Sequence, residues 1–209
     1  VFYKGNGKDR KVDMSMHPID PKAEPLMKIA SDILGLTYKE LRPRLKQQAT
    51  QKVKRVCIAI HSTSQAKYWN NPTGWQEVVD YLNDNGYEVR LISKEEDGYM
   101  GNKEPKGIVK NKPGSLVDLI KVIQESEFFI GISSGLSWLA WACNIPTVII
   151  SGFTDVDLEP INGVIRIINK DVCNSCWSKY DFDPGNWNWC PVNEKTDDQF
   201  ICSKSITGD

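Results

Sequence analysis

Several absences narrow what this 209-residue chain can do. It has no excess of charge: 26 Lys plus Arg against 27 Asp plus Glu leave a net charge of -1, which excludes the electrostatic footprint of a nucleic-acid or anionic-membrane binder. It has no long apolar run. The longest stretches, around Cys57 and Pro146, fall short of the roughly 18 to 20 residues that a membrane helix needs, so a soluble protein is expected. Neither G-x-G-x-x-G nor G-x-x-x-x-G-K-[ST] occurs, which removes the dinucleotide fingerprint and the P-loop. No internal repeat and no low-complexity tract is present. There are only two histidines, His17 and His61, and neither has the partner spacing of a metal site or a triad, so both read as structural. No signal peptide opens the chain, position 1 is valine rather than methionine, and VFYKGNGKDRKVDM reads as the exit from a preceding part, so a piece of a longer protein is expected.

What is present begins with cysteine. Four thiols close the chain as Cys173-x2-Cys176-x13-Cys190-x11-Cys202. Two thiolates in a C-x-x-C turn can grip one ion, and two more from later loops complete an S4 shell that suits zinc or iron. The competing readings are two disulfides or a redox pair. Against disulfides, Cys57 and Cys143 stand alone in apolar stretches, as free thiols do in a reducing compartment. Against a redox pair, the C-x-x-C does not open a helix after a strand, and two further cysteines follow. The stretch between Cys176 and Cys202 holds Trp177, Trp187, Trp189 and Phe200 but few aliphatic residues, too little for a core of its own, which makes an ion the economical way to hold its loops.

Upstream, apolar runs alternate with helical periodicity. Leu26, Ile29, Ile33 and Leu34 predict a helical bridge between Pro18 and Gln48, with a short turn at Tyr38–Leu41. Strands are predicted at Val56–Ile60, Tyr87–Ile92, Phe128–Ile132, Thr147–Ile150 and Val164–Ile168, with a short one near Gly107–Lys110. Helices are predicted after the capping-box patterns Thr73-x-x-Gln76 and Ser115-x-x-Asp118 and over Leu136–Asn144. The tryptophans Trp69, Trp75, Trp138 and Trp141 read as core. Runs apolar on both faces between helices imply an α/β fold, a Rossmann-like parallel sheet covered on both sides. The domain reading is a helical bridge over 1–50, a Rossmann-like unit over 51–170 and a four-cysteine lobe over 171–209.

In an open parallel sheet ligands bind at the carboxyl ends of the strands. Two loops there carry suitable chemistry. His61-Ser62-Thr63-Ser64-Gln65-Ala66-Lys67 places hydroxyls and a lysine past the first strand, and Ser133-Ser134-Gly135-Leu136-Ser137 opens a helix whose free N–H groups suit an anion such as pyrophosphate. Turn-forming serines, a glycine relieving a bend and a solvated lysine are the plain alternative. Glu95, Glu96 and Asp97 follow the second strand where a ribose-binding carboxylate can sit, or form a solvated acidic turn.

The segments Ser62–Asn70, Ile130–Trp141, Ile149–Thr154 and Val172–Trp177, taken together, resemble the bacterial autotransporter heptosyltransferases, relatives of the lipopolysaccharide heptosyltransferases in the GT-B class, over their C-terminal half. The resemblance implies transfer of heptose from ADP-heptose to serine hydroxyls of an autotransporter adhesin, in the cytoplasm, by a ring-like homo-oligomer with iron at Cys173, Cys176, Cys190 and Cys202. It implies that Thr63 and Lys67 meet the donor phosphates and that Ser134, Gly135, Leu136 and Ser137 form the turn under the pyrophosphate. The catalytic base is expected on an N-terminal half outside this chain, so the piece is expected to be inactive alone. Ser133, Ser134 and Trp138 depart from the lipopolysaccharide branch, which has Asp, Thr and His there, and leave the sugar contact of that aspartate unassigned. A noncatalytic nucleotide-sugar or metal-sulfur docking module is the alternative function.

Overall fold

The structure, a computed structural model, describes residues 20–46, 51–110 and 114–208, and the backbone alone of residues 2–5 and 8–11. His17 and the ends of the predicted bridge, Pro18 and Gln47–Gln48, lie outside them. The first elements are an antiparallel hairpin, β1 (Phe2–Gly5) and β2 (Lys8–Lys11), and helix α1 (Leu26–Ile33). Among the described residues of the predicted bridge, only Leu26–Ile33 are helical. Helix α1 stops at a left-handed Gly35 (φ 66°), where Gly35 N–H donates to Asp32 O and Leu36 N–H to Ser31 O, a Schellman closure. Residues 36–46, including Tyr38–Leu41, then run without regular structure.

From residue 55 onward strands and helices alternate as the sequence pattern implies. The order is β3 (Arg55–Ala59), α2 (Gly74–Asp84), β4 (Glu88–Leu91), β5 (Val109–Lys110), α3 (Leu116–Glu125), β6 (Phe128–Ile132), α4 (Gly135–Ala142), β7 (Thr147–Ile150) and β8 (Val164–Ile167). Two four-residue helices, α5 (Cys176–Lys179) and α6 (Ile201–Lys204), follow in the cysteine-bearing segment. The six-stranded sheet is parallel throughout, in the order β5-β4-β3-β6-β7-β8.

Side-chain alternation explains why β3 has no polar residue after Arg55. Val56, Ile58 and Ile60 pack on one face with Val79 and Leu82 of α2. Cys57 and Ala59 point to the other, with Ile123 of α3, Phe129, and Ala140 of α4. Each of the fully buried Val and Ile side chains contributes about 1.5 to 3 kcal/mol. Cys57 and Cys143 are free and buried, as expected of small hydrophobes, and burial pushes each thiol up to about 11. Trp69 is buried edge-on to Trp75, with ring centroids 5.1 Å apart.

The two capping-box patterns part company. Ser115 and Asp118 form the reciprocal box ahead of α3. Thr73 has no side-chain cap bond; the α2 amides instead meet Asn71, whose Oδ1 accepts from Thr73 N (3.0 Å) and Gly74 N (2.9 Å). The other end of the same side chain donates to Lys204 O and Ile206 O, which ties α2 to the chain's last turn. Asn71→Ala is therefore expected to lower stability by about 2 kcal/mol in urea denaturation, against less than about 0.5 kcal/mol for Thr73→Ala.

Candidate functional site

Sheet order decides where a ligand can enter. From β3 the chain moves outward to β4 and β5, then returns to place β6 on the other side of β3, so β3 and β6 flank the topological switch point. Both strands are parallel, with Ala59 opposite Gly131, and the turns that follow them therefore leave the same rim of the sheet side by side. These are the His61–Lys67 and Ser133–Ser137 turns.

Residues 65–67 of the first turn form a single 3-10 turn that ends in Lys67. Among the described residues the Lys67 ammonium makes no hydrogen bond or ion pair; it stands over the Phe153 ring, 5.5 Å from its centroid. Burial pulls its pKa below the ordinary lysine value, and nearby Glu159 partly offsets this. Thr63 is exposed, and among the described residues its hydroxyl makes no hydrogen bond. Ser64 Oγ is buried without a partner.

In the second turn Ser134 precedes α4 but does not cap it, and its Oγ is likewise buried and unpartnered. The N–H groups of Gly135 and Leu136 open α4 and have no carbonyl one turn back within it. A Cβ on Gly135 would find nothing within 4 Å and its φ is not left-handed, so neither crowding nor backbone strain calls for glycine there. Gly135 is exposed, with open space on the side where a Cβ would lie. Ser137 closes this turn: fully buried, it donates from Oγ to Ile132 O at 2.6 Å, because a side chain in the first turn leans back toward the preceding strand. Its hydroxyl is engaged in the fold.

Residues that sequence reasoning missed surround this rim. Glu159, only 5% exposed, accepts from Ser133 Oγ (2.7 Å) and from Arg166 Nη1 (2.5 Å). The single Ser133 hydroxyl proton goes to the carboxylate, so Thr154 Oγ1, 2.9 Å away, acts as donor to Ser133. Glu159 follows β7 and Arg166 lies on β8, with no local motif to mark either. His61 binds Ser93 Oγ through Nδ1 (2.7 Å), leaves Nε2 buried without a partner, and has the rings of Tyr68 and Tyr99 on its edges. Burial lowers its pKa, which favours the neutral ring. In the acidic turn Asp97 accepts from Glu104 N at 2.7 Å, and Glu96 is exposed.

The cysteine-bearing segment packs against the same rim. Cys176, Cys190, Trp189 and Phe200 are buried together with Ala66 and Phe153, so the small core predicted to be missing is completed by residues of the sheet unit. None of the four thiols is in a disulfide. Burial raises the Cys173 pKa, pushes Cys176 up to about 11 and Cys202 up to about 12, with the neighbouring cysteines adding to each. Four thiols in one short segment are a donor set whose chemistry suits a soft cation. Among the described residues, however, no three His, Cys, Asp or Glu side chains are placed so that they could hold a metal ion.

A six-stranded parallel sheet with helices and two turns at its switch point defines an α/β fold of the GT-B-like class. The chain belongs to glycosyltransferase family 9 (heptosyltransferase), whose profile matches residues 27–181. It is 42% identical to the autotransporter heptosyltransferase Aah of Escherichia coli over 94% of this chain and 52% of that protein. The dodecameric, iron-containing heptosyltransferase TibC of Escherichia coli O78:H11, solved in complex with ADP-D-β-D-heptose, superposes with a TM-score of 0.83 at 38% identity, covering 94% of this chain and 53% of that one. The inactive autotransporter heptosyltransferase BimC of Burkholderia thailandensis is 28% identical over 91% of this chain and 48% of that protein. The chain thus spans about half the length of the curated relatives it matches. Among the described residues no helix is long and apolar enough to cross a membrane.

Proposed function

We propose that this chain is the donor-binding part of a cytoplasmic heptosyltransferase that takes heptose from ADP-heptose and attaches it to serine hydroxyls of an autotransporter. The observation that carries this reading is the unpaired Lys67 ammonium on a turn that leaves the sheet beside the open start of α4. A lysine without a carboxylate partner and two free amides are what a diphosphate needs. The family membership and the similarity to Aah and to TibC with its bound ADP-heptose support the choice of donor.

In this reading residues 51–170 are the nucleotide-sugar unit, residues 1–50 bridge to it, and residues 171–209 are a metal finger. Lys67 and the Gly135 and Leu136 N–H groups hold the diphosphate, with Thr63 and Ser134 beside them. As the serine oxygen bonds to the anomeric carbon, the bond from that carbon to the phosphate oxygen breaks. The same donors stabilise the charge that develops on the departing ADP. The serine proton goes to a carboxylate base, which we place in the half of the family fold that this chain does not span. Iron at Cys173, Cys176, Cys190 and Cys202, with zinc as the alternative, would hold the finger's loops together. A homo-oligomer is proposed because TibC is dodecameric.

The test pairs two measurements on the full-length protein. Incubation with ADP-heptose and a serine-bearing autotransporter segment is expected to release ADP and add heptose mass to the segment, and elemental analysis is expected to find about one iron per four-cysteine set in a coloured protein. Donor binding without transfer would favour a noncatalytic reading, for which the similarity to inactive BimC is the specific support. No binding of ADP or ADP-heptose would remove the proposal.

A further inference from the structure

We propose that Phe153 is a positioning residue through which the cysteine-bearing lobe sets the place of the Lys67 ammonium. The inference rests on the reading above, in which Lys67 binds the donor diphosphate.

Lys67 poses a problem of preorganisation. Four rotatable side-chain bonds leave an ammonium free to wander, and among the described residues no hydrogen bond fixes this one. A carboxylate in contact would hold it but would compete with phosphate. Glu159 acts on it electrostatically, yet that carboxylate is already bonded to Ser133 and Arg166. An aromatic face attracts the cation without using its N–H donors, so all three remain for phosphate oxygens. Phe153, 2% exposed, supplies that face.

What holds Phe153 is the lobe. Its ring meets those of Trp177, Phe182 and Trp189 at centroid distances of 5.9, 5.8 and 5.7 Å. Its carbonyl accepts from Trp177 N (3.1 Å), and the carbonyl of Gly152 accepts from Ser175 N (2.8 Å) inside the Cys173-x2-Cys176 turn. The turn that carries Lys67 is fastened to the same lobe. Gln65 N donates to Trp187 O (3.1 Å), Trp187 Nε1 donates to Gln65 Oε1 (3.2 Å), and Ala66 is buried with Cys176, Cys190 and Trp189. Among the described residues no hydrogen bond joins residues 65–67 directly to residues 151–154. The lobe is therefore the common frame on which ammonium and ring are aligned.

Fluorination of the ring tests this without altering its shape. Full-length protein carrying phenylalanine or its mono-, di- or trifluoro forms at position 153 is titrated with ADP by calorimetry, in the native background and with Lys67→Ala. The Kd is expected to rise stepwise with each fluorine, to about fivefold for the trifluoro ring, as the negative face is withdrawn from the cation. In Lys67→Ala protein the series is expected to be flat. Phe153→Tyr, which keeps the face, is expected to hold the Kd within about twofold. A flat series in the native background, or an equal slope with Lys67→Ala, would overturn the role of Phe153. If Lys67→Ala alone left ADP binding intact, the donor-site reading would fall as well, so the two failures are distinguishable.

Discussion

Lys67→Ala is expected to weaken ADP binding at least tenfold while lowering the thermal midpoint by no more than about 2 °C. The affinity loss follows from one charge-assisted phosphate contact, worth roughly 1.5 to 3 kcal/mol against the 1.4 kcal/mol of a tenfold change. The small effect on stability follows from the fold: among the described residues the ammonium has no hydrogen bond to lose, and the half-buried charge is itself unfavourable.

The same substitution should remove a pH dependence. Burial holds the Lys67 pKa in the free protein below the ordinary 10.5, whereas a bound diphosphate favours the ammonium. ADP affinity should therefore decline as pH rises through that lowered pKa, before an exposed lysine would respond. Folding has the opposite sign. A lysine whose folded pKa lies below its unfolded value disfavours folding at low pH, and that cost is relieved as pH rises from the folded toward the unfolded pKa. Calorimetric titration of ADP across the alkaline range checks the first and urea denaturation over the same range the second; an identical ADP profile for Lys67→Ala would show that this ammonium does not meet the phosphates.

The second large effect is expected at Cys176. The residue is 7% exposed, buried with Phe153, Trp189 and Phe200. If that sulfur only fills space, Cys176→Ser places a hydroxyl in an apolar pocket and costs about 1 to 3 kcal/mol, leaving the lobe folded. If it ligates a metal, the loss is of another order, because the lobe's regular structure is limited to α5 and α6 and its core borrows Ala66 and Phe153. We expect the larger outcome. Amide exchange should show residues 173–206 unprotected while β3, β6 and β7 keep their protection, and ADP affinity should fall more than about tenfold as Lys67 and Phe153 lose their shared frame. A variant that retains its metal and a protected lobe would refute sulfur ligation at this position.

The parallel sheet was legible in the sequence because a strand buried on both faces must be apolar at every position, and Val56–Ile60 and Phe128–Ile132 are runs of that kind. The two turns were legible because small and hydroxyl residues after such runs mark strand ends. Thr73-x-x-Gln76 misled where Ser115-x-x-Asp118 did not, since a capping pattern names a candidate acceptor but not a nearer rival, here Asn71. The Leu26, Ile29 and Ile33 spacing marked α1 itself, whereas among the described residues of the bridge past Gly35 the chain is irregular and Leu36 and Leu41 are exposed. That the Ser137 hydroxyl bonds back to Ile132 was not legible, because sequence does not reveal which side of a helix start faces the strand behind it.

By itself, then, the amino-acid order determined the alternation of buried strands and helices, the placement of Lys67 and Gly135 on rim turns, and the gathering of four thiols in an aromatic tail. These are properties of residue type at short spacing. Only the tertiary structure decided that β3 and β6 are neighbours, that Glu159 and Arg166 stand behind the second turn, and that Phe153 faces Lys67 while the lobe packs on Ala66 and Phe153. Those contacts join residues tens of positions apart, and burial and charge act through space, so no local pattern encodes them.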